Sequence, residues 1–181
     1  MALPSASVIL PCSEIEPAIA ELSVLDFSER MPRLRENVKR AGATVNIIEG
    51  DLLNPAVWSD GRYYDRILLD VPCTGTGVVR RHPDIKFRRR AEDGIQFAAS
   101  QLQFLSQAWR LLKPGGKLLY TTCSILPAEN ECCIARFLLQ TADANCIELP
   151  ENLGLHTEHG RQRLPGLHAG DGFFYALLEK N

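Results

Sequence analysis

A chain of 181 residues with 45% hydrophobic content can bury one sizeable core, and no apolar run approaches the roughly 20 residues that span a bilayer. Its net charge of -2 and pI near 6.1 exclude a protein coated throughout with positive charge for nucleic acid. The six cysteines show no Cys-x-x-Cys spacing and follow no secretory start, so reduced thiols in a cytosolic protein are expected and a zinc site is not.

Residues 1–13 carry little pattern beyond a short apolar run at 8–10, closed by Pro11 and Cys12. Residues 23–27 read as a strand. Ser28 then offers a cap for a helix to about residue 40, with Pro32 in its first turn and Gly42 as its stop. Residues 44–48 form the next strand, ending at Glu49-Gly50-Asp51, and Ile67-Leu68-Leu69 a third, ending at Asp70. A proline, a thiol and a glycine-rich turn follow, Val71-Pro72-Cys73-Thr74-Gly75-Thr76-Gly77.

Directly after this turn Arg80, Arg81, Lys86, Arg88, Arg89 and Arg90 crowd together around His82. Such clustering is the electrostatic footprint of phosphate contacts, the alternative being a solvated charged loop. Residues 92–112 show a helical apolar stripe at Ile95, Ala98, Ala99, Leu102, Leu105, Ala108, Trp109 and Leu112, ended by Pro114-Gly115-Gly116. Residues 117–121 read as a strand that closes on Thr122-Cys123-Ser124. A helix over 128–140 should turn Ile134, Phe137 and Leu138 inward, with Cys132 and Cys133 as packing residues. Strands at 146–149 and 173–178 finish the chain, joined by a long loop whose His156, His159 and His168 read as solvated positions rather than metal ligands.

Strands alternating with helices indicate an α/β fold with a parallel sheet, in which ligands bind outside the carboxyl ends of the strands. Two thiols, Cys73 and Cys123, therefore share one edge with Asp26, Asp51 and Asp70. An acid after the second strand of such a sheet accepts ribose hydroxyls. Asp26 suits that role, with a plain surface acid as the alternative.

Asp70-Val71-Pro72-Cys73-Thr74 at one strand end and Thr122-Cys123-Ser124 at the next resemble the RNA cytosine-C5 methyltransferases that use S-adenosylmethionine. Gly77-Val78-Val79-Arg80-Arg81-His82-Pro83-Asp84-Ile85-Lys86 and Gly170-Asp171-Gly172-Phe173-Phe174-Tyr175-Ala176 are similar to the bacterial ribosomal RNA branch, the Fmu/Sun type acting on the small subunit. The resemblance runs from about residue 14 to the end. It implies a Rossmann-like methyltransferase fold: a mostly parallel, doubly wound sheet with an antiparallel C-terminal strand and a truncated first strand and helix. The catalytic domain would occupy 14–181, after an atypical segment at 1–13.

By the same resemblance Cys123 is the nucleophile, Cys73 assists proton removal and product release, and Asp70 contacts the cytosine. S-adenosylmethionine would be held by Asp26, Asp51 and Asp70, with Asp51 near the adenine; at the first of these Leu25 stands at the strict family position. Ribosomal RNA would be met by Arg80, Arg81, His82, Lys86, Arg88, Arg89 and Arg90. The basic segment and a helix N-terminus are expected to lower the Cys123 pKa from about 8.5.

An amino-group methyltransferase would place a stacking aromatic where Cys73 stands, and a cysteine hydrolase would need a histidine aimed at a thiol, for which only His82 is near in sequence. A weightier alternative comes from the cofactor side. The family's glycine-rich turn and N-terminal RNA-binding domain have no counterpart in these residues: only Pro11-Cys12 precedes 13–21. Weak cofactor binding is therefore expected, and a catalytically silent chain that binds RNA or a partner stays open.

Overall fold

The computed structural model describes residues 7–10, 23–26, 28–90, 92–167 and 170–181. In chain order the strands are β1 (Ser7–Leu10), β2 (Ser23–Asp26), β3 (Asn46–Glu49), β4 (Tyr64–Asp70), β5 (Leu112–Thr122), β6 (Ala144–Ile147), β7 (Leu155–Thr157), β8 (Gly160–Arg163) and β9 (Phe173–Lys180). The helices are α1 (Met31–Ala41), α2 (Ile85–Arg88), α3 (Asp93–Arg110) and α4 (Glu131–Gln140). One sheet runs β3-β2-β1-β4-β5-β9-β8-β7, and β6 joins the far half of β9. Among the described residues no helix is long and apolar enough to cross a membrane.

Period-two burial sets the core. Ile67 and Leu69 on β4, Leu118 and Tyr120 on β5, and Phe174, Ala176 and Leu178 on β9 turn to one face, where they meet Phe104, Leu105 and Ala108 of α3 and Ile134 and Phe137 of α4. Trp109 packs edge-on against Phe137 at 5.3 Å. Lys180 reaches back to donate to the carbonyls of Trp109, in the last turn of α3, and Leu112, at the start of β5, at 3.0 and 3.1 Å. The α3 stripe differs from its expected phase. Ile95 is 71% exposed, while Phe97 and Gln101 lie in the core, because the apolar pattern skips over a buried glutamine. Cys133 is buried as expected and Cys132 is exposed.

β2 and β3 are parallel, as are β4 and β5, while β9 runs antiparallel to β5. The strand at 8–10 exists, and its direction differs from a doubly wound first strand: β1 is antiparallel to both β2 and β4. A parallel crossover needs a dozen residues or more, usually a helix, whereas an antiparallel return needs only a turn. Leu10 pairs with Ser23 and Ser7 with Asp70, so β1 enters at the thiol edge and leaves at the opposite one. Pro11, Cys12 and 13–22 lie outside the described residues, as do Phe27 and His168. The long loop before β9 is in part a hairpin, β7 with β8.

Candidate active site

The thiol edge is made by two strands in register. Asp70 pairs with Thr121, and Val71 N–H donates to Thr121 O at 3.2 Å, so β4 and β5 end at the same level. Pro72 has no N–H with which to extend the ladder, and the chain turns through Gly75 at φ +73, a conformation glycine adopts without penalty. Cys73 and Cys123 emerge side by side with their sulfurs 3.3 Å apart.

That contact splits the two thiols. The Cys73 S–H, donated to the Cys123 sulfur, holds Cys123 below the ordinary thiol value; the same bond, with burial, pushes Cys73 far above it. The expected causes at Cys123 are replaced by this one. α4 begins only at Glu131, and the neighbouring charges, Asp70 and Glu129, push the thiol up. The Asp70 carboxyl opens to solvent at the edge and is raised by the protein packed around it, with Arg30 pulling it back down.

Glu129 locks the two thiol-bearing loops together. Fully buried, its carboxylate accepts from Thr74 N at 2.8 Å and Thr74 Oγ1 at 2.5 Å, next to Cys73. It also accepts from Ser124 Oγ at 2.7 Å, next to Cys123, and from Gln101 Nε2 at 3.0 Å. Gln101 donates as well to Pro72 O, and Tyr120 OH to Glu129 O. Asn130 extends the lock by accepting from Thr122 Oγ1 at 2.6 Å and donating to Ser124 O at 2.9 Å. On the other side Gly77 N–H donates to Cys123 O and Gly172 N–H to Gly77 O, at 2.9 and 2.8 Å. A Cβ on Gly77 would collide with the Gly172 backbone. An ion pair between Arg81 and Asp171 closes this side.

None of Glu129, Gln101, Thr74, Ser124 or Asn130 stands among the site residues expected from sequence. The available signal was the polar run Glu129-Asn130-Glu131 beside an apolar helix, with Glu129 five residues beyond Ser124.

Asp26, Asp51 and Asp70 lie at or just past the carboxyl ends of β2, β3 and β4, along one edge. Asp26 is buried, with Arg30 4.0 Å away. Asp51 Oδ1 accepts from Leu53 N at 2.9 Å.

The basic segment divides. Arg80, His82, Lys86, Arg88 and Arg90 are exposed, and Arg88 shares Asp84 at 3.1 Å. Arg89 turns toward the Cys73 loop, donating through Nε to Thr74 O at 2.7 Å, with its guanidinium 5.0 Å over the Phe97 ring. His156 lies on β7. At the β7–β8 turn His159, Glu158 and Glu131 bring potential ligand atoms within 4.8 Å of one another. His159 is thereby less isolated than a solvated loop position.

The family model for the 16S rRNA methyltransferase RsmB/F matches residues 13–179. The chain belongs to this family. It is 46% identical over 167 residues to the ribosomal RNA small subunit methyltransferase B of Salmonella arizonae and equally so to that of Shewanella oneidensis, covering 92% of this chain. It spans only 38% and 39% of those relatives. Among solved structures it is similar to PH0851, with TM-score 0.82, 36% identity and coverage of 89% of this chain and 37% of the other. It is also similar to NSun6 from Pyrococcus horikoshii with SFG, with TM-score 0.77, 28% identity and coverage of 89% and 41%. The thiol edge, the basic segment and the glycines at 77 and 172 all fall inside the stretch matched to RsmB/F.

Proposed function

We propose that this chain is the catalytic part of an S-adenosylmethionine-dependent methyltransferase acting on carbon 5 of a cytosine in small-subunit ribosomal RNA. The observation that carries the reading is the 3.3 Å contact between two thiols of opposite acidity. Carbon 5 of cytosine is a poor nucleophile. Attack by the Cys123 thiolate forms a bond from sulfur to carbon 6 and moves an electron pair toward carbon 5, where the methyl group can be accepted. S-adenosylmethionine supplies that methyl group.

While Cys123 is a thiolate, its charge keeps Cys73 protonated. Once the sulfur is bound to carbon 6 that charge is gone, the largest cause of the raised Cys73 value goes with it, and Cys73 can release its proton to solvent at the open edge beside Asp70. A Cys73 thiolate can then take the proton from carbon 5, after which the sulfur–carbon 6 bond breaks and Cys123 leaves as thiolate. Asp70, exposed at the same edge, would hydrogen-bond the cytosine.

Three carboxylates on one edge fit a ligand that brings hydroxyl, amine and ammonium donors, so Asp26, Asp51 and Asp70 would hold S-adenosylmethionine. The reversed β1 supports a second reading, a chain that binds RNA without methyl transfer. A ribosomal RNA fragment with 5-fluorocytosine at the target, which has no removable proton at carbon 5, discriminates the two. With S-adenosylmethionine in excess, wild type and Cys73→Ala should stay covalently attached and Cys123→Ala should not. An adduct surviving Cys123→Ala overturns the role assignment, and no adduct from wild type selects the silent reading.

A further inference from the structure

We propose that Phe87 is a stacking platform for an unpaired base of the RNA strand, with Lys86 and Arg90 holding the adjacent phosphates. This rests on the RNA reading above and adds to it a residue that contacts a base other than the target.

Phe87 is 88% exposed. Single exposed apolar side chains are ordinary, and Leu139 is equally open; what sets Phe87 apart is its setting. The short helix that carries it is fixed from its other face. Ile85, at the start of the helix, and Arg89, the extended residue that ends it, both meet the Cys73 loop. The Ile85 side chain lies over Gly75, where an added Cβ would come within 3.3 Å of it. Arg89 bonds Thr74 O and stacks on Phe97. Two residues from each anchor, Phe87 points away from the fold, and its place relative to Cys73 is set by contacts one and two residues from that thiol.

Lys86, the residue before Phe87, and Arg90, three residues after it, are exposed and make no ion pair among the described residues. An apolar protein surface closing over Phe87 would have to desolvate these cations without compensation. A single strand of RNA supplies both complements at once, phosphates for the cations and a base face for the ring.

The test uses a fluorescein-labelled single-stranded oligocytidylate and an abasic oligomer with the same number of phosphates, titrated by anisotropy over a salt series. Phe87→Ala should weaken oligocytidylate binding by about fivefold to a hundredfold, leave the slope against salt unchanged and leave abasic binding untouched. Phe87→Trp should retain the affinity. Lys86→Ala with Arg90→Ala should weaken both oligomers and flatten the slope by just under one unit per lost contact. If Phe87→Ala matches wild type on oligocytidylate while the cation variants flatten the slope, the RNA reading stands and the stacking role falls. If wild type shows no salt-dependent binding to either oligomer, both fall together. Because the ring is on the surface, its removal does not threaten the fold.

Discussion

The two halves of the sheet edge are built on different plans. Where β4 and β5 end, each cysteine is followed by a residue bonded to the same buried carboxylate, and a second set of bonds through Gly77 and Gly172 braces the other side. Where β2 and β3 end, Asp51 caps its own turn, Asp26 is buried with Arg30 at 4.0 Å, and the strand between the two halves runs the opposite way. The 3.3 Å contact between the two sulfurs is held by these internal bonds. The thiol half is therefore braced through one shared buried carboxylate, whereas the carboxylate half is bordered by a strand of opposite direction.

The largest effect should appear on the carboxylate half. Losing several hydrogen bonds to charged groups, at roughly 1.5 to 3 kcal/mol each, weakens a ligand by orders of magnitude. Calorimetric titration of the 181-residue chain with S-adenosylmethionine should give weak or undetectable binding. A micromolar dissociation constant would erase the contrast by showing that the reversed β1 leaves a formed pocket.

On the thiol half, Glu129→Ala should lower unfolding stability in urea by about 3 to 6 kcal/mol, since it strands the buried donors of Thr74, Ser124 and Gln101. Asp51→Ala, which loses one exposed turn bond, should cost about 1 kcal/mol or less. Equal losses would mean that the two halves are equally braced.

The smallest effect is the most specific. Cys123 should react with iodoacetamide with a midpoint below the ordinary thiol value of about 8.5. Its folded pKa is depressed by a donor from Cys73, so Cys73→Ala, which removes the donor, should move the midpoint up in pH. A midpoint that stays put or falls would show that the sulfur contact does not tune Cys123.

Much of the thiol half is legible in the sequence, because each cysteine ends an apolar run and such runs mark strand ends whatever the tertiary context. Gln101 and Glu129 are hidden for the opposite reason: they are polar residues in core positions, and periodicity counts only apolar ones. Arg89 shows a further limit. Six cations within eleven residues report charge, and which of them turns inward depends on a carbonyl at Thr74 and a ring at Phe97 that sequence does not bring together. At 8–10 an apolar run can signal a strand, but nothing in three residues encodes which way it runs.

The position of β9 bears on how the molecule is made. This strand follows all the others in the chain, yet it is inserted with β5 on one flank and β6 and β8 on the other, and Gly172 just before it supports the Cys73 loop through Gly77. A ribosome adding about 5–20 residues per second takes on the order of ten seconds to travel from Gly77 to Gly172. During that interval the nascent chain carries a thiol loop without its Gly172 brace and, once β5 has been made, an open β5 edge. The thiol loop and the β5 edge are therefore completed late and together, when the strand beginning at Phe173 docks.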